Sequence, residues 1–96
     1  MTAYMIAFID ITGDANELAA YRSAVAATFA PFGGRYLVSG GAYEVLEGAR
    51  TPDRISVIEF PDTAAAHAWD GSSAYLAIKH LRTRNTAAER VIVEGV

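Results

Sequence analysis

One stretch constrains this chain more than any other. Phe32-Gly33-Gly34-Arg35-Tyr36-Leu37-Val38-Ser39-Gly40-Gly41 sets two glycine pairs around a short apolar segment. Glycine admits positive φ and close backbone approach. The first pair follows an Ala-rich segment that Pro31 stops, so it reads as the left-handed cap region of a helix. The second pair breaks a strand. The block therefore fixes a topology and leaves the reaction open.

Apolar periodicity supplies the remaining elements. Tyr4 to Ile11 reads as a strand whose two faces are both largely apolar. Thr12-Gly13-Asp14 is turn chemistry, with Asp14 as N-cap for a helix from Ala15 to about Ala30. Leu18, Tyr21, Val25 and Phe29 form one face of that helix. Arg35 to Ser39 is the second strand, and Tyr43 to Leu46 is expected to continue it beyond a glycine kink. Residues 47–53 form a loop, Arg54 to Phe60 the third strand, and Pro61 its end. Asp62 caps a helix from Thr63 to Asp70, and Gly71 interrupts it. Ser72 or Ser73 opens a second piece, about Ala74 to Arg84, with Ala74, Ala77, Ile78 and Leu81 on one face. Arg90 to Glu94 closes the order as βαββαβ. That order predicts an α+β, ferredoxin-like sandwich: a four-stranded antiparallel sheet with its helices on one face.

Composition bounds the rest. The 96 residues make a single domain, 1–96, with no internal linker. A net charge of −3, with scattered basic residues, argues against nucleic acid as a partner. The absence of cysteine excludes disulfides and thiolate metal sites and fits a cytoplasmic setting. The N-terminal apolar run has no basic flank and is too short to span a membrane. With 52% apolar residues the chain is rich for its size. Strands Arg54 to Phe60 and Arg90 to Glu94 carry apolar residues on both faces, yet helices can cover only one. A second copy of the sheet is the expected cover, giving a homodimer with two sheets face to face.

Further residues carry a resemblance. Gly33-Gly34-Arg35-Tyr36-Leu37, Gly40-Gly41, Glu47-Gly48, Ile58-Glu59-Phe60-Pro61, Ala66, Trp69, Ser73, Tyr75, Arg82 and Glu94-Gly95 together resemble the family catalogued as domain of unknown function 1330, over essentially the whole chain. The resemblance implies the dimeric α/β-barrel superfamily, a ferredoxin-like protomer and two sheets enclosing a cavity. It brings no activity, because the superfamily spans cofactor-free monooxygenases, haem-degrading enzymes, lactone isomerases and stress-responsive proteins. Ser39 stands where the family often has arginine, and Leu18 where tyrosine is common.

Candidate chemistry is sparse. Arg35 and Tyr36 alternate across the sheet, so one faces the helices and the other the expected dimer cavity. Arginine can fork a carboxylate, and tyrosine can donate a proton. Glu59, between Ile58 and Phe60, is either a desolvated acid–base group or half of an ion pair with Arg54, Arg82 or Arg84. Glu47 is a cavity-mouth carboxylate or a turn residue. Trp69 and Tyr75 line an apolar pocket or fill the core. Arg54 and Arg82 are further substrate-contact candidates. His67 and His80 lack metal-like spacing, so no metal or cofactor is expected. The function that follows is a small cytosolic homodimer. It is either a cofactor-free enzyme acting on a small organic acid or aromatic beside the helix-free sheet face, or a non-catalytic ligand-binding or stress-associated dimer.

Overall fold

The computed structural model describes all 96 residues. Its elements are β1 (Ala3–Ile11), α1 (Ala15–Phe29), a short 3-10 turn (Ala30–Phe32), β2 (Arg35–Ser39), β3 (Arg54–Phe60), α2 (Thr63–Asp70), α3 (Ser73–Thr83) and β4 (Thr86–Glu94). The strands form one antiparallel sheet in the order β2-β3-β1-β4. This is the ferredoxin-like α+β plan, and the helices cover one face. No helix is long and apolar enough to cross a membrane.

Capping side chains explain the helix starts. Asp14 accepts from the amides of Asn16 at 2.7 Å and Glu17 at 3.2 Å. Asp62 accepts from Ala65 N at 2.7 Å, and Ser72 Oγ from Tyr75 N at 3.2 Å. Each satisfies an amide that the helix itself cannot. Gly33, at φ +76°, closes the 3-10 turn in the left-handed region, where a Cβ would also lie 2.7 Å from the Pro61 ring.

The core lies between helices and sheet. Phe29 is its hub, with Tyr36, Trp69 and Phe60 edge-on at ring separations of 5.0, 6.0 and 6.4 Å. Trp69 is anchored as well as packed. Its indole N–H donates to Thr28 Oγ1 at 2.9 Å, and that hydroxyl donates to Val25 O at 2.6 Å.

Three expectations need correction. Tyr43 to Leu46 is not strand: β2 stops at Ser39, Gly40 turns at φ +70°, and residues 40–53 form one long loop. Asp53 ties that loop to the end of β1, accepting from Ile11 N at 2.7 Å and donating its own amide to Asp10 Oδ1 at 3.3 Å. The last strand starts at Thr86, not Arg90, because Thr86 to Glu89 pair with Ile11 to Phe8. Pairing along β1 overrides the helical leaning of Ala87-Ala88-Glu89. The inner face of α3 is carried by Tyr75, Ile78 and Arg82, while Ala74 and Ala77 are exposed.

Register defines the helix-free face. One row crosses all four strands as Val38, Val57, Ile6 and Val91. Beside it lies a row of Arg35, Glu59, Tyr4 and Val93, and on the other side Ile55, Phe8 and Glu89. Val91 and Val93 are 50% and 46% exposed, far more than helix-side neighbours such as Met5 at 4%. The helices leave this face bare; it is apolar at its centre, with the Arg35–Glu59 pair on one side and Arg50 of the β2–β3 loop over the Phe8 ring at 4.8 Å on the other.

Candidate functional site

A cavity of about 60 Å³ lies under the helices, on the side of the sheet away from the bare face. The reason is local. Small side chains on β1 and β3, Ala7 and Ser56, sit as cross-strand partners beneath α1 and α3 and leave the space between the layers unfilled. A water needs roughly 10–15 Å³ by this measure, so the cavity takes a handful of waters or a small organic body.

Its walls are apolar and its polar groups converge. Met5, Ile58 and Trp69 supply the floor. Tyr21, from α1, and Tyr75, from α3, meet with hydroxyls 2.9 Å apart. Arg82 Nε donates to Tyr75 Oη at 3.3 Å. Burial pushes the Tyr21 hydroxyl up, reinforced by Tyr75, and burial likewise pushes Tyr36 up. These phenols stay protonated at neutral pH and can donate hydrogen bonds. Arg82 is charged although only 7% exposed: burial opposes the cation, but the Tyr75 and Tyr21 oxygens more than offset it.

Charge is distributed unevenly. The chain has eight basic residues. Four make ion pairs: Arg35 with Glu59, Arg50 with Glu89, Arg84 with Glu17 and Arg90 with Asp70. Of the four that make none, Arg22, Arg54 and Arg82 line the cavity, and Lys79 lies over the Tyr75 ring at 6.0 Å. No Asp, Glu or His lines the cavity. Three arginines without a carboxylate partner thus surround one apolar cavity. Of the three, only Arg82 is buried; Arg54 is half-buried and Arg22 exposed.

The sequence-derived candidates divide between two faces. Tyr36, Arg54, Trp69, Tyr75 and Arg82 line the cavity. Trp69 spends its N–H on Thr28 and so offers only an apolar wall. Arg35 and Glu59 lie on the helix-free face as a cross-strand ion pair at 2.8 Å, with side chains 69% and 25% exposed. Glu59 is thus paired by Arg35 rather than by Arg54, Arg82 or Arg84. Glu47 is exposed in the β2–β3 loop, away from the cavity, and makes no hydrogen bond or ion pair. His67 and His80 are exposed on the helices. His67 borders an open surface trough of about 360 Å³ whose arginine, Arg90, is already held by Asp70 at 2.9 Å. No three His, Asp or Glu residues converge as a metal-binding group. The sequence reading missed Tyr21 and Arg22. Tyr21 carried a signal, since a phenol on a buried helical face needs a partner for its hydroxyl. Arg22 carried none.

Sheet order, helix placement and cavity together define a ferredoxin-like α+β protein with a cationic, helix-side cavity. The chain belongs to the family described as Domain of unknown function (DUF1330), whose model matches residues 2–96. Curated proteins provide no sequence match. Several solved structures share the fold. A protein of unknown function from Rhodopseudomonas palustris superposes with a TM-score of 0.77 at 16% identity, covering 99% of this chain and 82% of that one. A dimeric ferredoxin-like protein of unknown function from a Jannaschia species gives 0.74 at 11% identity, covering 99% and 100%. SnoaB, a cofactor-independent oxygenase from Streptomyces nogalater, gives 0.68 at 14% identity, covering 99% and 93%. At these identities the likeness concerns the fold alone.

Proposed function

We propose that this protein is a cytosolic homodimer that binds a small organic acid in the helix-side cavity of each protomer and acts on it without a bound cofactor. The observation that carries the reading is the set of three arginines, without carboxylate partners, around an apolar cavity that contains no acid. Arg82 takes the ligand's anionic group at the inner end, and Tyr75, held by Tyr21 and Arg82, donates a hydrogen bond beside it. Met5, Ile58 and Trp69 keep water from the ligand's carbon body. The volume favours a short aliphatic acid over an aromatic one. In an enzyme, the same cation would stabilise negative charge developing on a bound oxygen.

A second reading, a non-catalytic carrier of the same acids, has its own support. The cavity lacks His, Asp and Glu, and the Tyr21 and Tyr36 phenols are raised, so no base poised near neutral pH faces a ligand. The homodimer reading rests on the bare row Val38, Val57, Ile6 and Val91, and on relatives of the same fold described as dimeric. The test is calorimetric titration with butyrate against butyramide. Butyrate should bind, and Arg82→Met should weaken it at least ~10-fold, the loss of one charge-assisted hydrogen bond. Equal binding of acid and amide would refute the anion site. Turnover of a bound acid, followed by NMR, separates enzyme from carrier.

A further inference from the structure

We infer that the ligand is a dianion, a short-chain diacid or an acid with a second anionic end, held between Arg82 at the inner end of the cavity and Arg54, with Arg22, at its solvent side. The inference rests on the organic-acid reading above and names the substrate class more narrowly.

Arg54 is not a loose surface arginine. Its guanidinium lies against the backbone of Gly40, where a Cβ would come within 2.3 Å of its Cζ and Nη1. Its Nη2 donates to Ser39 Oγ at 3.3 Å. The end of β2 therefore cradles this group, and half-buried Arg54 reaches the cavity from the β3 side. The neighbouring carboxylates bond to backbone amides and do not reach it. Asp53, next in sequence, accepts from Ile11 N, and Asp10 accepts from Asp53 N. Neither makes an ion pair with Arg54. A cation has been positioned and left unpaired, as Arg82 has.

The two cations approach from opposite sides. Arg54 springs from β3. Arg82 sits above the start of β4, where Thr86 Oγ1 donates to Arg82 O at 2.8 Å. Those strands are separated only by β1, and Arg54 pairs with Ile9 where Thr86 pairs with Ile11, so two strand spacings and a two-residue offset set Arg54 and Thr86 about 12 Å apart. Both guanidiniums reach inward, so a few carbons suffice to span between them. That span agrees with a cavity of about 60 Å³, which holds a small carbon body and leaves no room for a large one. A monoanion at Arg82 would leave Arg54 and exposed Arg22 without a counter-charge, whereas a second carboxylate supplies it.

The test is calorimetric titration of the full chain with three probes that share one five-carbon diacid backbone and fall in charge from −2 to 0: glutarate, monomethyl glutarate and dimethyl glutarate. Glutarate should bind ~3–10-fold more tightly than its monoester, the worth of a partly exposed charge-assisted contact. Arg54→Gln should erase that preference, so that glutarate binds no more tightly than its monoester. Arg22→Gln, an exposed substitution, should reduce the preference without touching the fold. Equal affinity of glutarate and its monoester in the wild type overturns the dianion inference and leaves the acid site standing. If dimethyl glutarate binds as well as either acid, or if neither acid binds, the organic-acid reading itself fails, and this inference with it.

Discussion

Replacing Ile6 by lysine should split the protein into folded monomers. Ile6 is central on the bare face, with Val57 and Val91 as its cross-strand partners. Four strands of 5 to 9 residues, about 4.8 Å apart and about seven residues long on average, give a footprint of about 19 by 23 Å, or about 440 Å² per protomer. That is within the ~300–600 Å² of the largest apolar patch on a typical monomer, and doubled, at about 880 Å², it falls short of the ~1,600 Å² of a standard interface, so flanking residues must contribute to any pairing. In an isolated protomer, a lysine here lays its stem along the sheet and keeps its ammonium in water, so folding is little affected. Between two sheets, the same ammonium faces the partner's apolar row. An unpaired buried charge costs about 3–5 kcal/mol, and two-fold symmetry imposes it twice. The resulting ~6–10 kcal/mol weakens association by ~10⁴–10⁷-fold. Sedimentation equilibrium at micromolar concentration should give twice the 10.2 kDa chain mass for the wild type and the chain mass for Ile6→Lys. Far-ultraviolet circular dichroism should show both folded. A wild type that sediments at 10.2 kDa, or a variant that stays paired, would refute the reasoning.

Two further outcomes follow from polar groups in the protomer. Thr28→Val keeps the shape but leaves the buried Trp69 N–H without its acceptor, so urea denaturation should show a loss of about 1–3 kcal/mol; no measurable loss would show the anchor to be idle. Glu17, hydrogen-bonded by Arg84 and Asn85, has its carboxyl held down at about 2 from an ordinary 4.5. A group depressed in the folded state stabilises fully above its unfolded value and loses that contribution as pH falls toward the folded one. Melting temperature should therefore fall between about pH 4.5 and pH 2, and Glu17→Gln should show a shallower fall over that window. Parallel acid limbs in the two proteins would contradict this.

The fold was legible because its signals are local. Asp14, Asp62 and Ser72 cap helices where a short oxygen side chain precedes a helical pattern, and Gly33 ends one where left-handed backbone is needed. Residues 40–53 were not legible. Tyr43 to Leu46 has strand-like composition, yet the chain spends its hydrogen bonds at Asp53 and Asp10 instead of on a ladder. Thr86 to Glu89 was missed for the opposite reason, since only pairing with β1 makes it extended. For the site, residue type pointed to Arg54, Arg82, Tyr36, Trp69 and Tyr75, all of which line the cavity. It could not separate them from Arg35 and Glu59, because alternation says that two residues face opposite ways without saying which face holds the void. Three-dimensional packing decides that, through small side chains such as Ala7 and Ser56 under the helices. The absence of a carboxylate partner, which distinguishes Arg82 from Arg84, is likewise a property of the folded neighbourhood.

Trp69 is the single tryptophan of the chain, and its ring stands in the cavity wall 4.2 Å from the Tyr75 ring centre. With its indole nitrogen tethered to Thr28, the ring cannot swing away when its surroundings change. The molecule thereby contains a built-in fluorophore at the place where occupancy would matter. A guest that displaces water from beside the indole should alter emission colour and intensity without any dye, so a library of metabolites can be surveyed by light alone.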